Sequence, residues 1–428
     1  MKTNAIALIL AAGRGTRFKS DKPKVVHELL GKPLISYVLD TLKGAGIGKA
    51  IVVAGFGSER LKKMLPETKI VIQKRLLGSG DAVKAAAPAL KGYAGDLVIL
   101  CGDVPLVRTE TIRRLMAEHV RSKACATVLT AKVKDASGYG RIARDRGGDL
   151  IKIVEDGQAD VFERSINEMN VGLYCFKARD LFEAMGKVKA HNKKKEYFLT
   201  DAIEIISKKG KKVSSVEVTD MDEFIGINTR KDMAEAARFL KEETLHRLME
   251  SGVTIQDPST TVIYPDVIIG KDSVIYPHTV IESDVVIGRR CHVGPFSRIR
   301  PGVRLDDSAE VGNFVELVRT TLGSHTKVKH HTYLGDARVG KNVNIGAGTI
   351  TANYDGKNKN ITVIEDGAFI GVGAVLIAPV RIGKKALVGA GCVVPKRRDV
   401  PNGAIVIGIP ARILPRDRRA RARAGAVG

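Results

Sequence analysis

Two hydrophobic rhythms divide the chain. Up to about residue 228, apolar runs rich in Val, Ile and Leu alternate with stretches of helical spacing. Residues 5–10, 50–54, 69–72, 97–101 and 127–130 read as strands, several of them too continuously apolar to leave one face in water. Such alternation predicts an α/β domain of Rossmann-like type over residues 1–228, built on a mostly parallel sheet. Over residues 229–250, Met233, Ala236, Ala237, Leu240 and Leu248 fall at helical spacing before Gly252, which predicts an amphipathic linker helix.

From residue 251 the period becomes six. Ile263, Ile269, Ile275, Ile281, Ile287, Val293, Ile299, Leu305, Val311 and Leu317 are aliphatic without exception. Four residues after each comes a small or β-branched partner: Val267, Ser273, Thr279, Val285, Cys291, Ser297, Val303, Ala309, Val315 and Thr321. The rhythm slips by one residue near 321 and 338, continues through Leu322, Val328, Leu334, Val339 and Ile345, and returns at Ile370, Leu376, Ile382 and Val388. Hexapeptide repeats predict short strands and turns, three to a coil, whose aliphatic side chains stack into one continuous core. The expected architecture of residues 251–415 is a left-handed parallel β-helix, whose flat faces suit assembly as a homotrimer. The break in rhythm between about 352 and 362 predicts a projecting loop.

A chain of 428 residues accommodates two or three domains, and its 44 glycines fall mainly in the second half, as two different architectures require. No apolar run reaches the roughly 18–20 residues of a membrane span, and no cleavable signal follows Met1-Lys2-Thr3-Asn4, so a cytoplasmic protein is expected. The five cysteines are scattered, without CxxC spacing, and read as free thiols. The net charge of +23 raises the question of nucleic acid. Its excess is diffuse, however, and includes a Lys run at 193–195 and a basic tail at 416–428 that is expected to be disordered. Without a recognition motif or stacking aromatics, no specific nucleic-acid partner is expected, and a basic surface suits anionic small substrates.

After the first strand comes Leu10-Ala11-Ala12-Gly13-Arg14-Gly15-Thr16-Arg17, followed by Pro23-Lys24. Small residues there let backbone N–H groups approach phosphates, and Arg17 and Lys24 can neutralise charge on a transferring phosphoryl group. The loop lacks the GxxxxGK[ST] of a P-loop, and Phe18 replaces the third glycine of a dinucleotide fingerprint. Asp103, in Gly102-Asp103-Val104-Pro105, follows a buried strand and offers the hard oxygen that Mg²⁺ prefers. The string LAAGxGTRxxxxxxK resembles the signature of sugar-1-phosphate nucleotidylyltransferases. That resemblance implies a nucleotide site formed by Leu10, Ala11, Ala12, Gly13, Lys24, Cys101 and Gly102, with Gln73, Gly78 and Ser79 reading the base. It also implies sugar contacts at Gly140, Glu155 and Asn170, and Mg²⁺ held by Asp103 and Asn228. The reaction would be in-line attack of a sugar-phosphate oxygen on the α-phosphorus of a nucleoside triphosphate, with alignment and charge neutralisation as the protein's tasks.

Acyl transfer to an amine needs a base, and histidine suits that role near neutral pH. The order of domains, and the stretches Val311-Gly312-Asn313-Phe314-Val315-Glu316, His330-His331-Thr332-Tyr333 and Asn353-Tyr354-Asp355-Gly356, resemble the bifunctional N-acetylglucosamine-1-phosphate uridylyltransferase/glucosamine-1-phosphate N-acetyltransferase family, GlmU, over nearly the full length. The resemblance implies UTP, N-acetylglucosamine 1-phosphate, glucosamine 1-phosphate and acetyl-CoA as substrates. By it His330 is the catalytic base, with Glu316 nearby; Arg300, Tyr333, Asn344 and Lys359 contact the acceptor, and Ala347, Asn353, Tyr354 and Ala390 contact acetyl-CoA. Three positions depart from the family: a phosphate-binding lysine falls on Val318, a serine on the coenzyme side on Val372, and an arginine at about Ile409. Arg319, in a regular strand, would point away from Val318's side and could not replace the lysine. The β-helix before Arg300 is also shorter than the family's by one to two coils. These departures leave a second expectation open, a nucleotidylyltransferase whose β-helix is a trimerisation scaffold or serves another acyl acceptor.

Overall fold

Strands that are apolar on both faces must be covered on both, and the first half of the chain does this with helices. The computed structural model describes residues 4–190 and 195–414; the expected tail at 416–428, and the Lys run at 193–195 apart from Lys195, lie outside them. The chain divides into two units, Met1–Ala237 and Arg238–Gly428.

The main sheet of the first unit has strands β1 (Ile6–Ala11), β2 (Lys49–Ala54), β3 (Lys69–Ile72), β4 (Asp96–Cys101), β5 (Ala126–Lys132), β6 (Arg141–Arg144), β7 (Leu150–Val154), β8 (Glu168–Lys177) and β9 (Val213–Val218). Their order is β9-β5-β8-β4-β1-β2-β3, with β6 pairing β8 and β7 beside it. Ladders β1–β2, β1–β4, β2–β3 and β5–β9 are parallel, whereas β8 is antiparallel to β4 and β5. The chain steps from β1 to β2 on one side and later returns to β4 on the other. This reversal opens a crevice at the carboxyl ends of β1 and β4, the place where open α/β sheets bind ligands. Leu8, Ile9, Leu97, Ile99 and Leu100 are fully buried there, as their uninterrupted apolar runs require.

The helix Arg230–Glu250 spans the boundary between the units. In the second unit the strands form three ladders, one per side of each coil, parallel up to the closing antiparallel pair Ile405–Ile407 and Arg412–Leu414, with Val274–Ile275, Val280–Ile281 and Val286–Ile287 as one coil. All ten aliphatic repeat positions from Ile263 to Leu317 are buried. At the corners Asp272, His278, Asp284, Arg290 and Phe296 have left-handed φ of 53–63°, which turns the chain between strands. One repeat position is corrected: Thr321 is exposed, and Thr320 fills the core in its place. The coil shortens from 18 residues, as in His292 opposite Glu310, to 17, as in Leu305 opposite Leu322, so the slip falls before 321. Arg319 also differs from expectation. It stands just past the strand Glu316–Val318 with a φ of 48°, at a corner, and its guanidinium forks onto Asp336 at 2.6 and 2.8 Å.

Candidate active sites

Leu10 and Cys101 are paired across β1 and β4, and Gly102 N donates to Leu10 O at 2.9 Å, so the loops following these strands lie side by side. Lys24 reaches over from the first loop to donate to Asp103 Oδ2 and, at 3.0 Å, to Asn228 Oδ1. Asn228 is brought there by its neighbour: Ile227 N donates to Asp103 O at 2.9 Å. It is then fixed by the following helix, because the Asn228 and Thr229 N–H groups both donate to Asp232 Oδ2 at 2.8 Å. Burial opposes the charge on Asp232, but these two N–H groups and the field of Arg17 outweigh it and hold the carboxyl below its ordinary value. A carboxylate and a carboxamide oxygen thus converge on one cationic nitrogen, a donor set that fits a small hard cation. No group of three or more His, Cys, Asp or Glu forms a metal cluster among the described residues, so such an ion would complete its shell with phosphate and water oxygens.

Asp103 and Cys101 stand between two cavities. One, of about 470 Å³, is walled by residues 10–14 together with Lys24, Gln73, Gly78 and Ser79. The other, of about 190 Å³, is walled by Tyr139, Gly172, Gly226 and Asn228. Burial, reinforced by Asp103, pushes the Cys101 thiol up to about 12, which keeps it uncharged between them. Gln73 is buried, and its Nε2 donates to Gly78 O at 3.1 Å and Asp81 Oδ2 at 2.8 Å. Both amide hydrogens are therefore used, and the Oε1 acceptor is left for a ligand.

Gly140 and Asn170 meet, Asn170 N donating to Gly140 O at 2.7 Å, and Glu155 accepts from the Thr200 hydroxyl at 2.8 Å; all three stand outside the walls of both cavities. Arg17 is exposed and has no hydrogen bond or ion pair among the described residues, but its field reaches Asp232, the residue that holds Asn228. Sequence reasoning missed the segment 196–199. Tyr197 exchanges backbone bonds with Leu77 and Gly80 at 2.7 and 2.8 Å, and Glu196 joins the wall of the larger cavity. No short motif marks this clamp, because its contacts are made by the main chain.

In the β-helix, Arg300, Glu316 and Tyr333 share one side of consecutive coils, and Arg300 pairs with Glu316 at 2.8 Å. His330 and Asn344 stand on a different ladder, and Asn344 walls a separate cavity of about 530 Å³. A line of backbone bonds runs along one corner: Gly348 N to His331 O at 3.1 Å, Gly373 N to Ala347 O at 2.7 Å, and Gly391 N to Val372 O at 2.7 Å. Ala347, Val372 and Ala390 are thereby aligned on successive coils with the His330 corner. Asn353 is buried and donates to Asp336; Tyr354 and Lys359 are exposed and close the projecting loop as an antiparallel bridge. Of the three departures, Val318 is 3% exposed, whereas Val372 and Ile409 are 59% and 76% exposed. Only Val318, then, is turned away from any ligand.

Residues 7–202 match the MobA-like NTP transferase domain family, and residues 361–396 match the bacterial transferase hexapeptide repeats. Among curated proteins, "Bifunctional protein GlmU" of Geobacillus sp. (strain WCH70) is 44% identical over 94% of this chain and 94% of its own. The proteins of the same name from Geobacillus thermodenitrificans (strain NG80-2) and Shouchella clausii (strain KSM-K16) are 44% and 42% identical over 94% of this chain and 95% of theirs. A solved UDP-glucose pyrophosphorylase complexed with UDP-glucose covers 56% of this chain and 100% of its own, at 20% identity and a TM-score of 0.47. Sharing at least 42% of its residues with these three bifunctional relatives across nearly the whole of both chains, the protein belongs to the GlmU family.

Proposed function

We propose that this chain makes UDP-N-acetylglucosamine in two steps, acetylating glucosamine 1-phosphate with acetyl-CoA and then transferring a uridylyl group from UTP, with release of pyrophosphate. The observation that carries the reading is the convergence of Lys24, Asp103 and Asn228 at the crevice between two cavities, one sized for a nucleotide and one for a sugar phosphate. UTP lies in the larger cavity, with Gln73 Oε1 accepting from the uracil N3–H. The sugar phosphate enters from the smaller one, whose approach leads past Gly140, Glu155 and Asn170. Its oxygen bonds to the α-phosphorus as the bond to pyrophosphate breaks. Lys24, and Arg17 once it folds in, neutralise the charge that accumulates, so no side-chain nucleophile is needed. Asp103 and Asn228 would hold Mg²⁺, which supplies the remaining charge neutralisation on the phosphates.

For acetyl transfer His330 takes the amine proton, and Ala347, Asn353, Tyr354 and Ala390 lie along acetyl-CoA. Arg300 and Tyr333 stand on one ladder and Asn344 on another, which supports a site completed by a second copy and hence a homotrimer. Both co-substrates are cytoplasmic metabolites, and no helix among the described residues is long and apolar enough to cross a membrane, so we place the enzyme in the cytoplasm. The test is a pair of assays on the full chain, thiol release with glucosamine 1-phosphate and pyrophosphate release with N-acetylglucosamine 1-phosphate. His330→Ala should abolish only the first and Asp103→Asn only the second. Pyrophosphate release without any thiol release from the wild type would leave the β-helix as a scaffold.

A further inference from the structure

His330 ends the strand Lys327–His330, which runs parallel to Glu310–Asn313 with Asn313 directly opposite His330. Opposite residues of a parallel ladder share a face, and here Asn313 Oδ1 lies 2.9 Å from His330 Nδ1. The main chain reinforces the link, since His331 N donates to Asn313 O at 3.1 Å and the Thr332 hydroxyl donates to His330 O at 2.7 Å. Gly312 makes the approach possible, because a Cβ there would collide with the Lys329 carbonyl. Beyond the pair, the rings of Phe314 and His331 stack with centroids 5.0 Å apart and close the corner.

A carboxamide oxygen can only accept, so its bond to the ring requires the proton on Nδ1 and leaves the lone pair of the neutral imidazole on Nε2. We propose that Asn313 is a positioning residue for acetyl transfer, holding His330 in the tautomer and orientation in which Nε2 takes the proton of the attacking amine. The proposal rests on the reading of His330 as the base. As the amine nitrogen bonds to the thioester carbonyl, its proton passes to Nε2, the C–S bond breaks, and the proton returns to the departing thiolate. Throughout, Nδ1–H stays bonded to Asn313.

His330 and Asn313 both wall a cavity of about 380 Å³ whose other titratable groups are Tyr276, His292, Glu310 and Lys329. Glu310 is engaged by Lys327 at 3.3 Å and Lys329 at 2.7 Å, and the Tyr276 hydroxyl meets His292 Nδ1 at 3.1 Å. On the neighbouring ladder Glu316 is taken by Arg300. Among the described residues the neutral Asn313 is thus the side chain hydrogen-bonded to the His330 ring.

The experiment measures thiol release against pH for the full-length wild type, Asn313→Ala and Asn313→Asp, with melting temperature and pyrophosphate release as controls. In Asn313→Ala, kcat for acetyl transfer should fall about tenfold or more, with KM for acetyl-CoA and pyrophosphate release unchanged. In Asn313→Asp the carboxylate stabilises the imidazolium. The acidic limb of the kcat profile should therefore move up by about one pH unit or more, with activity regained on its alkaline side. Should His330→Ala be inactive while both Asn313 variants keep the wild-type rate and pH profile, the positioning role falls and the base survives. An active His330→Ala overturns the base itself. If Asn313→Ala does not fold, the position of the acidic limb in Asn313→Asp decides alone.

Discussion

Asp336 shows how much of the proposed acyl site depends on single contacts. The fork from Arg319 comes first among the causes that hold its carboxyl below the ordinary value, with the Asn353 amide and the field of Lys359 adding to it. A carboxyl with a depressed folded pKa stabilises the fold at pH above its unfolded value, near 3.9, and loses that contribution as pH falls through the folded value. Wild type should therefore melt above Arg319→Ala near neutral pH, and the two melting temperatures should converge in acid below the ordinary carboxylate range. Calorimetry across that range checks it, and a constant difference would mean that the fork contributes nothing. Arg319 also marks what was hidden at this scale. Reasoning from a regular strand turned it away from Val318, as the structure has it, but missed that it stands at a corner, because nothing short of backbone conformation tells a strand residue from a corner residue with positive φ. Lys24, Asp103 and Asn228 were legible, since each sits in a short motif at the end of a strand or the start of a helix. Asn313 belongs to a quoted motif too, but its partner lies 17 residues away, and only the coil length pairs them.

Coil length is a property of elements, and there a one-residue slip has consequences. A uniform coil of 18 residues, as between His292 and Glu310, would set His331 opposite Asn313. The five-residue step from Leu317 to Leu322 sets His330 there instead and leaves His331 at the corner with a φ of 43°. The hexad pattern showed that a slip exists, but it could not choose between Thr320 and Thr321, because threonine is at home both inside and outside a coil. In the α/β unit the central apolar strands were plain, whereas β6 to β9 were not, being short, polar at alternate positions or interrupted. The start of the helix Arg230–Glu250 was legible from its periodicity, and its structure adds a function. Asp232 accepts from Thr229 N at 2.8 Å and its own N–H donates to the Thr229 hydroxyl at 3.2 Å, a reciprocal cap whose acceptor also holds Asn228. Asp232→Ala should cost about 1 kcal/mol of stability as a lost cap. It should also raise the Mg²⁺ concentration needed for half-maximal pyrophosphate release, while kcat at saturating Mg²⁺ stays near that of wild type. An unchanged Mg²⁺ requirement would restrict Asp232 to capping.

At the scale of the whole molecule, the buried cores of the two units share no residue among those described. The cores of the first unit run from Ala5 to Phe224, and that of the second from Leu245 to Val406. The proposed chemistry is divided in the same way, with the Lys24 cluster supported by an open sheet and the His330 corner supported by stacked coils. In a solenoid each coil contacts only its neighbours, so damage to one coil spreads first along the stack. Leu317 is fully buried and lies in the coil that carries Glu316 and Val318, between those of Arg300 and Tyr333. Leu317→Ala should cost roughly 2–5 kcal/mol within the β-helix, from lost burial and the cavity left behind. Acetyl transfer should fall and its thermal inactivation should move to lower temperature, while pyrophosphate release keeps both its rate and its inactivation temperature. Parallel inactivation curves for the two activities, recorded on one preparation, provide the measurement. If both shift together, the units unfold as one cooperative body, and the separation of cores seen in the structure does not extend to their stability.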